Sequence, residues 1–504
     1  MLRVKGIRAT TTGITRIQES ESVMPTLRRQ LKFGKFEVVS LLGPLAMLIL
    51  FQNAFAQWEF DVVADLGIVY TDNLRLAPAD MAEEDIVYTI IPTFALTKES
   101  ERLTADLRYR PEAYFYDDAP ESDAIYHVVD ASLTSTLVRD ALFVYVSGAQ
   151  FQTTGSPEDG FPTSNLPITG NRVDSTKLEF RPYWEQNLGF ADILAELAYR
   201  DSRYDADEEL QTGFIQHNTE RNGRFSLNNH SHQEGLAWGL GYDYRRVEYD
   251  QALPFEFQTA SVDLGYWLNG TTRVFVSGGV ETPFNSYFDP AMEDDFWEAG
   301  IQYTPNQRLD IEFAAGERSF GDTYRGRLSY ELRRGRTEFT YEDGVETRGG
   351  IGSGYRPIVF SDNLDTVLDR PGESDRFIRK RGEWQTTIEL AKSDISFRLF
   401  SEDREQRTAD TGVPVEDERL AGAAFRWAWR LGTNSTLGLG TDFAIREVGV
   451  DDSDLTRFSF DYAFRFSQRL SVVLLLQHSE ETGEASFRGD HTENQYRLNL
   501  RADL

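Results

Sequence analysis

The sequence predicts an all-β protein, and more narrowly a single transmembrane antiparallel β-barrel of about 22 strands, within a range of about 16 to 22. Three observations predict this fold. An apolar segment near the amino terminus has the build of an export signal, apolar and polar residues alternate from Trp58 to Leu504, and the connections are short and long in turn. Short periplasmic turns and longer outer loops are typical of bacterial transmembrane barrels.

Residues 1–56 are interpreted as a surplus amino-terminal extension followed by a signal peptide. Basic residues between positions 28 and 35 precede the apolar stretch from Val38 to Phe51, which is too short to span a bilayer comfortably. The small residues at positions 54 and 56 predict cleavage after Ala56. The first 23 residues exceed what a signal needs, so that either Met1 or Met24 is the true start. Residues 57–504 are then the barrel.

The stretch 58–70 shows the alternation most clearly. One side carries Trp58, Phe60, Val62, Ala64, Leu66, Ile68 and Tyr70, and the other carries Glu59, Asp61, Asp65 and Gly67. Successive side chains of a strand point to opposite faces, so this stretch predicts a ribbon with one apolar face and one polar face. The pattern recurs at 103–109, 236–244 and 457–466. Only helices and closed sheets satisfy their backbone in lipid, so the apolar face is expected to meet lipid on a closed barrel.

Short and long connections alternate along the chain. Short ones are expected at 98–101, 139–140, 186–189, 230–232, 269–270, 305–306, 334–335, 392–393, 432–434 and 468–469. Mostly longer ones lie between them, near 72–84, 117–125, 155–172, 205–214, 250–255, 286–293, 346–382, 408–416 and 484–491. A sandwich with Greek-key crossings gives no reason for such alternation, whereas a barrel does. The longest connection, 346–382, is rich in glycine and is either a mobile outer loop or a constriction folded into the lumen.

The last nine residues place Tyr496, Leu498, Leu500, Ala502 and Leu504 on one face. This pattern resembles the terminal signal by which outer-membrane barrels are recognised for insertion, with Leu504 in place of the more usual Phe. The resemblance implies that the barrel-assembly machinery is a partner through Tyr496–Leu504.

Composition excludes several classes of function. The net charge of −30 disfavours nucleic-acid binding, because phosphate contacts need basic surfaces. The absence of cysteine excludes disulfides, zinc–thiolate sites and thiol nucleophiles. The six histidines are scattered, and no nucleophile elbow, phosphate loop or EF-hand pattern occurs. We therefore expect no enzymatic activity, no cofactor and no metal.

Two segments resemble a known family. Tyr70–Pro78 and Tyr303–Thr347 are similar to the outer-membrane β-barrels associated with exosortase, or PEP-CTERM, systems. The second segment departs from the family at Glu317, Ser319 and Phe320, where a basic residue and two aromatic residues are more usual. The resemblance implies a Gram-negative bacterial outer membrane and a gene neighbourhood devoted to exopolysaccharide synthesis and export.

If the apolar face meets lipid, the alternate residues line the lumen. Candidate lumen residues are Arg308, Arg318, Arg325, Arg327, Arg333, Arg398, Arg426, Arg430, Arg446 and Arg465, with Tyr114, Tyr183, Trp267, Phe275 and Phe400. Arg457, Arg497 and Arg501 fall on the same face, and the carboxylates among them are Asp310, Glu312, Glu331, Glu389, Asp442 and Asp461. Guanidinium groups pair with carboxylates, and flat rings stack on sugars. Two hypotheses remain: an electropositive track from about residue 308 to residue 501, or self-satisfied ion-pair ladders that stiffen the wall.

Together these patterns favour an outer-membrane barrel associated with exopolysaccharide export, a passive conduit whose candidate cargo is an acidic polysaccharide. Two alternatives stay open: a general diffusion porin for small solutes, and a structural anchor for a polysaccharide or protein-sorting complex without a pore. A TonB-dependent receptor has a plug domain before its barrel. It is not expected here, because the first predicted strand begins directly after the expected signal peptide. Outer-membrane lipid is the expected surrounding, and the oligomeric state stays open.

Overall fold

The computed structural model describes residues 58–154, 164–170, 172–206, 217–229, 235–250, 252–283, 292–347, 376–406, 417–448, 451–483 and 489–504. Almost all of this chain is β-strand, and within it the one helical element is a 3-10 turn at Pro120–Ser122. No helix among these residues is long and apolar enough to cross a membrane. The expected signal peptide and the cleavage site after Ala56 lie outside the described residues.

Twenty-two strands follow one another along the chain. They are β1 (Glu59–Thr71), β2 (Asp85–Glu99), β3 (Leu103–Tyr116), β4 (Ala124–Val138), β5 (Leu142–Thr154), β6 (Arg172–Asn187), β7 (Ala191–Ala206), β8 (Asn218–Asn229), β9 (Gly235–Tyr249), β10 (Phe255–Asn269), β11 (Thr272–Glu281), β12 (Asp294–Asn306), β13 (Leu309–Arg318), β14 (Gly321–Leu332), β15 (Gly335–Thr347), β16 (Arg376–Glu389), β17 (Ser393–Gln406), β18 (Glu418–Arg430), β19 (Ser435–Val448), β20 (Asp451–Arg465), β21 (Leu470–Thr482) and β22 (His491–Asp503).

The sheet closes on itself. Each strand pairs antiparallel with the next one along the chain. The last strand returns to the first, with Leu66 opposite Leu500 and Tyr70 opposite Tyr496. Closure gives every strand two partners and leaves no sheet edge. The predicted all-β fold, a single antiparallel barrel of about 22 strands, is confirmed.

The connections sort into two ends. At one, which we call the turn end, β1 begins and β22 ends, and the connections are short, such as 270–271, 307–308 and 333–334. At the other, the loop end, connections run up to 348–375. The prediction that the longest loop spans 346–382 is corrected at both margins. β15 continues through Thr347 and β16 begins at Arg376, because this basic stretch pairs with carboxylates of β17 that are remote in sequence. The loop itself, 348–375, lies outside the described residues.

The outward face is apolar over most of the strand length. Exposed large apolar side chains on it include Leu66, Ile68, Tyr88, Ile90, Leu178, Phe180, Leu197, Val262, Leu264, Trp297, Phe313, Tyr324, Trp384, Phe443, Phe458, Tyr496 and Leu498. A water-soluble protein rarely exposes so large a continuous apolar surface. The strands are 10 to 16 residues long, which matches or exceeds the 9–11 residues of a tilted membrane-spanning strand.

The interior has no single hydrophobic core. Buried apolar side chains form small separate clusters in the described residues, and the largest contains Val69, Leu74, Val87, Tyr114 and Leu166. A second cluster joins Phe400 of β17 to three apolar residues of β18, β19 and β20. Many other buried side chains among the described residues are polar or charged, so the strands form a barrel wall and not a packed sandwich.

Candidate functional site: the inner wall

The pairing of residues between neighbouring strands shows which side chains share a face all the way around the barrel. Opposite residues of paired strands point to the same side, and the inner side is the one without the exposed apolar band. The predicted residues that lie on the inner side within strands are Arg318, Arg325, Arg327, Arg398, Arg426, Arg446, Tyr114, Tyr183, Trp267, Phe275 and Phe400. Arg430 and Arg465 share this side but lie at the strand ends that form the turn end.

Two predicted lumen residues do not lie on the wall. Arg308 falls in the two-residue turn 307–308, where its backbone N–H donates to Asn306, and Arg333 falls in the two-residue turn 333–334. Both side chains are exposed at the turn end. The prediction extended the alternation of inward and outward residues beyond the strand ends. Tight turns interrupt this period of two, so it does not assign a face to Arg308 or Arg333. These two predictions are corrected.

The inner arginines of β13–β22 are matched by carboxylates. Besides the six noted from sequence, the inner face of these strands carries Glu338, Glu342, Glu346, Glu383, Asp394, Glu402, Glu418, Glu481, Glu493 and Asp503. Arg398 binds Glu383 through two nitrogens at 2.8 and 3.1 Å. Arg327 lies 3.3 Å from Glu338. The described wall therefore carries no electropositive track along the whole half-barrel, because most of its inner arginines form ion pairs with carboxylates.

The most buried of these pairs form a ladder across β16–β19. Arg381 lies 2.7 Å from Glu402, and Arg404 reaches Glu402 at 2.7 Å and Glu418 at 3.2 Å. Arg446 completes the series at 2.6 Å from Glu418. The side chains of both glutamates are fully buried. We call these five residues the buried ladder; each charge in it has an opposite partner at hydrogen-bond distance.

A second series of ion pairs leaves the wall and crosses part of the lumen. Arg245 of β9 lies 2.9 Å from Glu220 of β8 and 3.0 Å from Glu346 of β15. Five strands separate β9 from β15 in the sheet. Nearby, Arg376 of β16 stands 5.4 Å above the ring of Phe255 in β10. At the loop end these two parts of the wall therefore touch, which narrows the interior.

A loop segment also lies inside the barrel. Leu166, fully buried, packs with Val69 and Leu74, and its carbonyl accepts a hydrogen bond of 2.8 Å from the Tyr116 hydroxyl. Val69 and Tyr116 point inward from β1 and β3. The backbone of Ile168 donates to Leu74 at 2.9 Å. We call residues 164–170 the inner segment; it occupies lumen space at the loop end, and no periodicity of the sequence indicated it.

Inward aromatic rings stand beside guanidinium groups. The Phe400 ring lies 5.1 Å from the Arg381 guanidinium and 5.5 Å from that of Arg398. Phe275 lies between Arg273 at 5.6 Å and Arg325 at 6.0 Å. Such cation–π contacts hold the rings against the wall. The rings therefore present fixed apolar patches to the interior.

One sector of the wall keeps a local excess of arginine. In the turn-end half of β18–β22 the inner face carries Arg426, Arg430, Arg457, Arg465, Arg497 and Arg501 against Asp442, Asp461 and Asp503. We call these nine residues the arginine sector. Three of its arginines lie at the margin of the turn end and three lie deeper, so positive charge runs inward from the opening.

The inner wall shows no arrangement for metal-dependent chemistry in the part of the chain that is described, where no three His, Asp or Glu side chains converge to hold a metal ion. His491 contacts Glu481 at 3.5 Å, and His478 contacts Asn494 on the outward face.

Comparisons with known proteins were made against this geometry. No protein-family model matches the sequence, and no curated protein matches it. Similar solved structures include a mutant ferric enterobactin receptor of Pseudomonas aeruginosa in complex with enterobactin (TM-score 0.49, 10% identity, 88% of this chain and 81% of that one). Others are the siderophore receptor PirA of Acinetobacter baumannii (0.48, 7%, 88% and 80%) and a loop-deletion mutant of OmpT, an outer membrane protein of Vibrio cholerae (0.31, 9%, 89% and 100%).

Proposed function

We propose that the chain resides in the Gram-negative outer membrane. A closed sheet satisfies every backbone group without water, which is what hydrocarbon demands of a spanning structure. The outward apolar band of residues such as Leu66, Phe313 and Leu498 suits lipid and would be costly in water. The export signal expected at residues 1–56 and the terminal strand Tyr496–Leu504 agree with insertion by the barrel-assembly machinery.

Within that membrane the barrel acts as a passive conduit. The observation that carries this proposal is the inner wall itself, which is charged and hydrogen-bonding where an inert anchor would pack apolar side chains. A polar interior is typical of outer-membrane barrels that pass solutes. No enzymatic step and no cofactor belong to this function.

The cargo we propose is an acidic polysaccharide, in keeping with the resemblance to exopolysaccharide-associated barrels. The arginine sector supports this cargo, because guanidinium groups bind carboxylates. The sector also starts at the turn-end opening of the barrel, which would face the periplasm. Wall carboxylates such as Asp461 keep each contact weak. Conduction requires sites that bind well enough to admit a substrate and weakly enough to release it.

Transport in liposomes tests this proposal. The reconstituted barrel should release a trapped fluorescent oligogalacturonate several-fold faster than a neutral maltodextrin of equal length. Arg465→Gln combined with Arg501→Gln should reduce the preference, because both remove positive charge at the opening. Arg203→Gln, on the outward face of β7 and 66% exposed, is the matched control and should leave it unchanged.

The alternatives predict different results in the same assay. Equal release of short acidic and neutral sugars would indicate a general diffusion porin. No release of either, together with no ion conductance, would indicate a structural anchor without a pore. Either outcome would overturn the conduit for acidic polymers.

A further inference from the structure

A cavity of about 320 Å³ opens on the inner wall in the deeper part of the arginine sector. Residues from five strands and from the inner segment line it, including Ser164, Arg426, Asp442, Arg457, Gln495 and Arg497. Its volume lies at the lower end of the range of about 300–1,000 Å³ found for small-molecule sites. One sugar unit of a polymer is the size of ligand that such a cavity can hold.

Small residues on β18 and β19 create this hollow. A Cβ atom at Gly440 would stand 2.4 Å from the Ser459 hydroxyl and 3.1 Å from the Arg426 side chain. Any larger residue there would fill the cavity from its floor. The glycine therefore lets the polar side chains of β18 and β20 approach a common space.

Three side chains that line the cavity carry buried polar atoms that find no partner among the described residues. Arg457 is only 6% exposed, yet its nearest carboxylate oxygen, on Asp442, is 3.9 Å away and its Nε is unpaired. The Nε of Arg497 and the Oδ1 of Asp442 are likewise buried and unpaired. Leaving a buried polar group without a hydrogen-bond partner is unfavourable, and more so for a charged group. The lining thus includes two guanidinium groups and one carboxylate whose hydrogen-bonding capacity is not fully used by their neighbours.

We propose that this cavity is a binding subsite for one acidic sugar unit, with its carboxylate on Arg457 and Arg497 and a hydroxyl donating to Asp442. A free carboxylate ion only accepts hydrogen bonds, and a neutral sugar carries no charge. A uronic acid unit offers a carboxylate to the two guanidinium groups and a hydroxyl to the Asp442 side chain. Ser459 and Gln495 lie at the same cavity and offer further hydrogen bonds to ring hydroxyls. The biological role of the subsite rests on the proposed conduit, but its binding does not require an open pore.

Equilibrium titration of the full-length barrel in detergent tests the subsite directly. Trigalacturonate should bind, while maltotriose should bind at least tenfold more weakly. The reason is that a hydrogen bond between a carboxylate and a guanidinium group contributes more to affinity than one made by a neutral hydroxyl. Arg497→Gln, at a half-buried position, should weaken trigalacturonate binding about tenfold or more. Arg457→Gln should do the same, and Arg203→Gln should have no effect.

Several results would overturn the assignment. Equal binding of maltotriose, undiminished binding by folded Arg497→Gln, or sulfate competing as strongly as trigalacturonate would each contradict a uronate subsite, because sulfate cannot donate to Asp442. The two proposals fail separately. Binding without preferential release from liposomes would support the subsite and contradict the conduit. Preferential release without binding would support the conduit and contradict the subsite.

Discussion

Removing the charge of Glu402 is expected to lower the free energy of unfolding by about 3–5 kcal/mol, the usual cost of breaking a buried ion pair from one side. Its carboxylate is fully buried and lies 2.9 Å from Arg379, 2.7 Å from Arg381 and 2.7 Å from Arg404. In Glu402→Gln these guanidinium groups would lose the negative charge they share, at a site that water reaches poorly. Urea unfolding in lipid or detergent, followed by tryptophan fluorescence, measures the change.

The neighbouring residue provides a matched control. Asp403 lies on the opposite face of the same strand, and its pair with Arg419, at 3.5 Å, is more than half exposed. Asp403→Asn should therefore change the unfolding free energy by only about 0–1 kcal/mol, as for surface pairs in general. Equal effects of the two substitutions would contradict a buried ladder on an enclosed inner wall.

Placing a charge on the inner segment is expected to open the lumen. Leu166 is fully buried among Val69, Leu74 and Tyr114. An aspartate there would place a carboxylate among apolar side chains, which is strongly unfavourable. The nearby Arg172 guanidinium is already engaged by backbone carbonyls of the inner segment. In Leu166→Asp the segment should leave its place, and single-channel conductance in planar bilayers should rise several-fold.

The control for this change adds the same charge elsewhere at the loop end. Met81 lies in the connection between β1 and β2 and is 60% exposed, so Met81→Asp should leave conductance near that of the unchanged chain. If Leu166→Asp folds and conducts no better than Met81→Asp, the inner segment does not restrict passage.

The fold follows from the sequence because it depends on a period-two signal repeated in every strand. Leu66 and Leu500, at opposite ends of the chain, both carry that signal and stand opposite each other in the closed sheet. The ends of the strands are harder to predict from the sequence. The turns at Arg308 and Arg333 interrupt the period, and the basic start of β16 resembled a solvated loop until its partners on β17 were known.

The sequence predicts which residues face the interior but not which of them form ion pairs. Alternation assigns a residue to a face but does not say which charges meet. Arg404 bridges Glu402 and Glu418, and Arg446 of the next strand also binds Glu418. The inner segment was missed because its anchors, Val69 and Tyr116, are supplied by other strands. The structure thereby narrows the electropositive track to the arginine sector.

The central claim is that alternate residues face lipid and an aqueous interior, and a cysteine scan of β14 tests it most directly. The chain has no native cysteine, so Tyr324→Cys, Arg325→Cys, Arg327→Cys and Leu328→Cys each carry a single spin label. In bilayers, labels at 325 and 327 should be accessible to a water-soluble nickel chelate, and labels at 324 and 328 to dissolved oxygen. Uniform accessibility, or alternation of the opposite sense, would contradict the barrel described above.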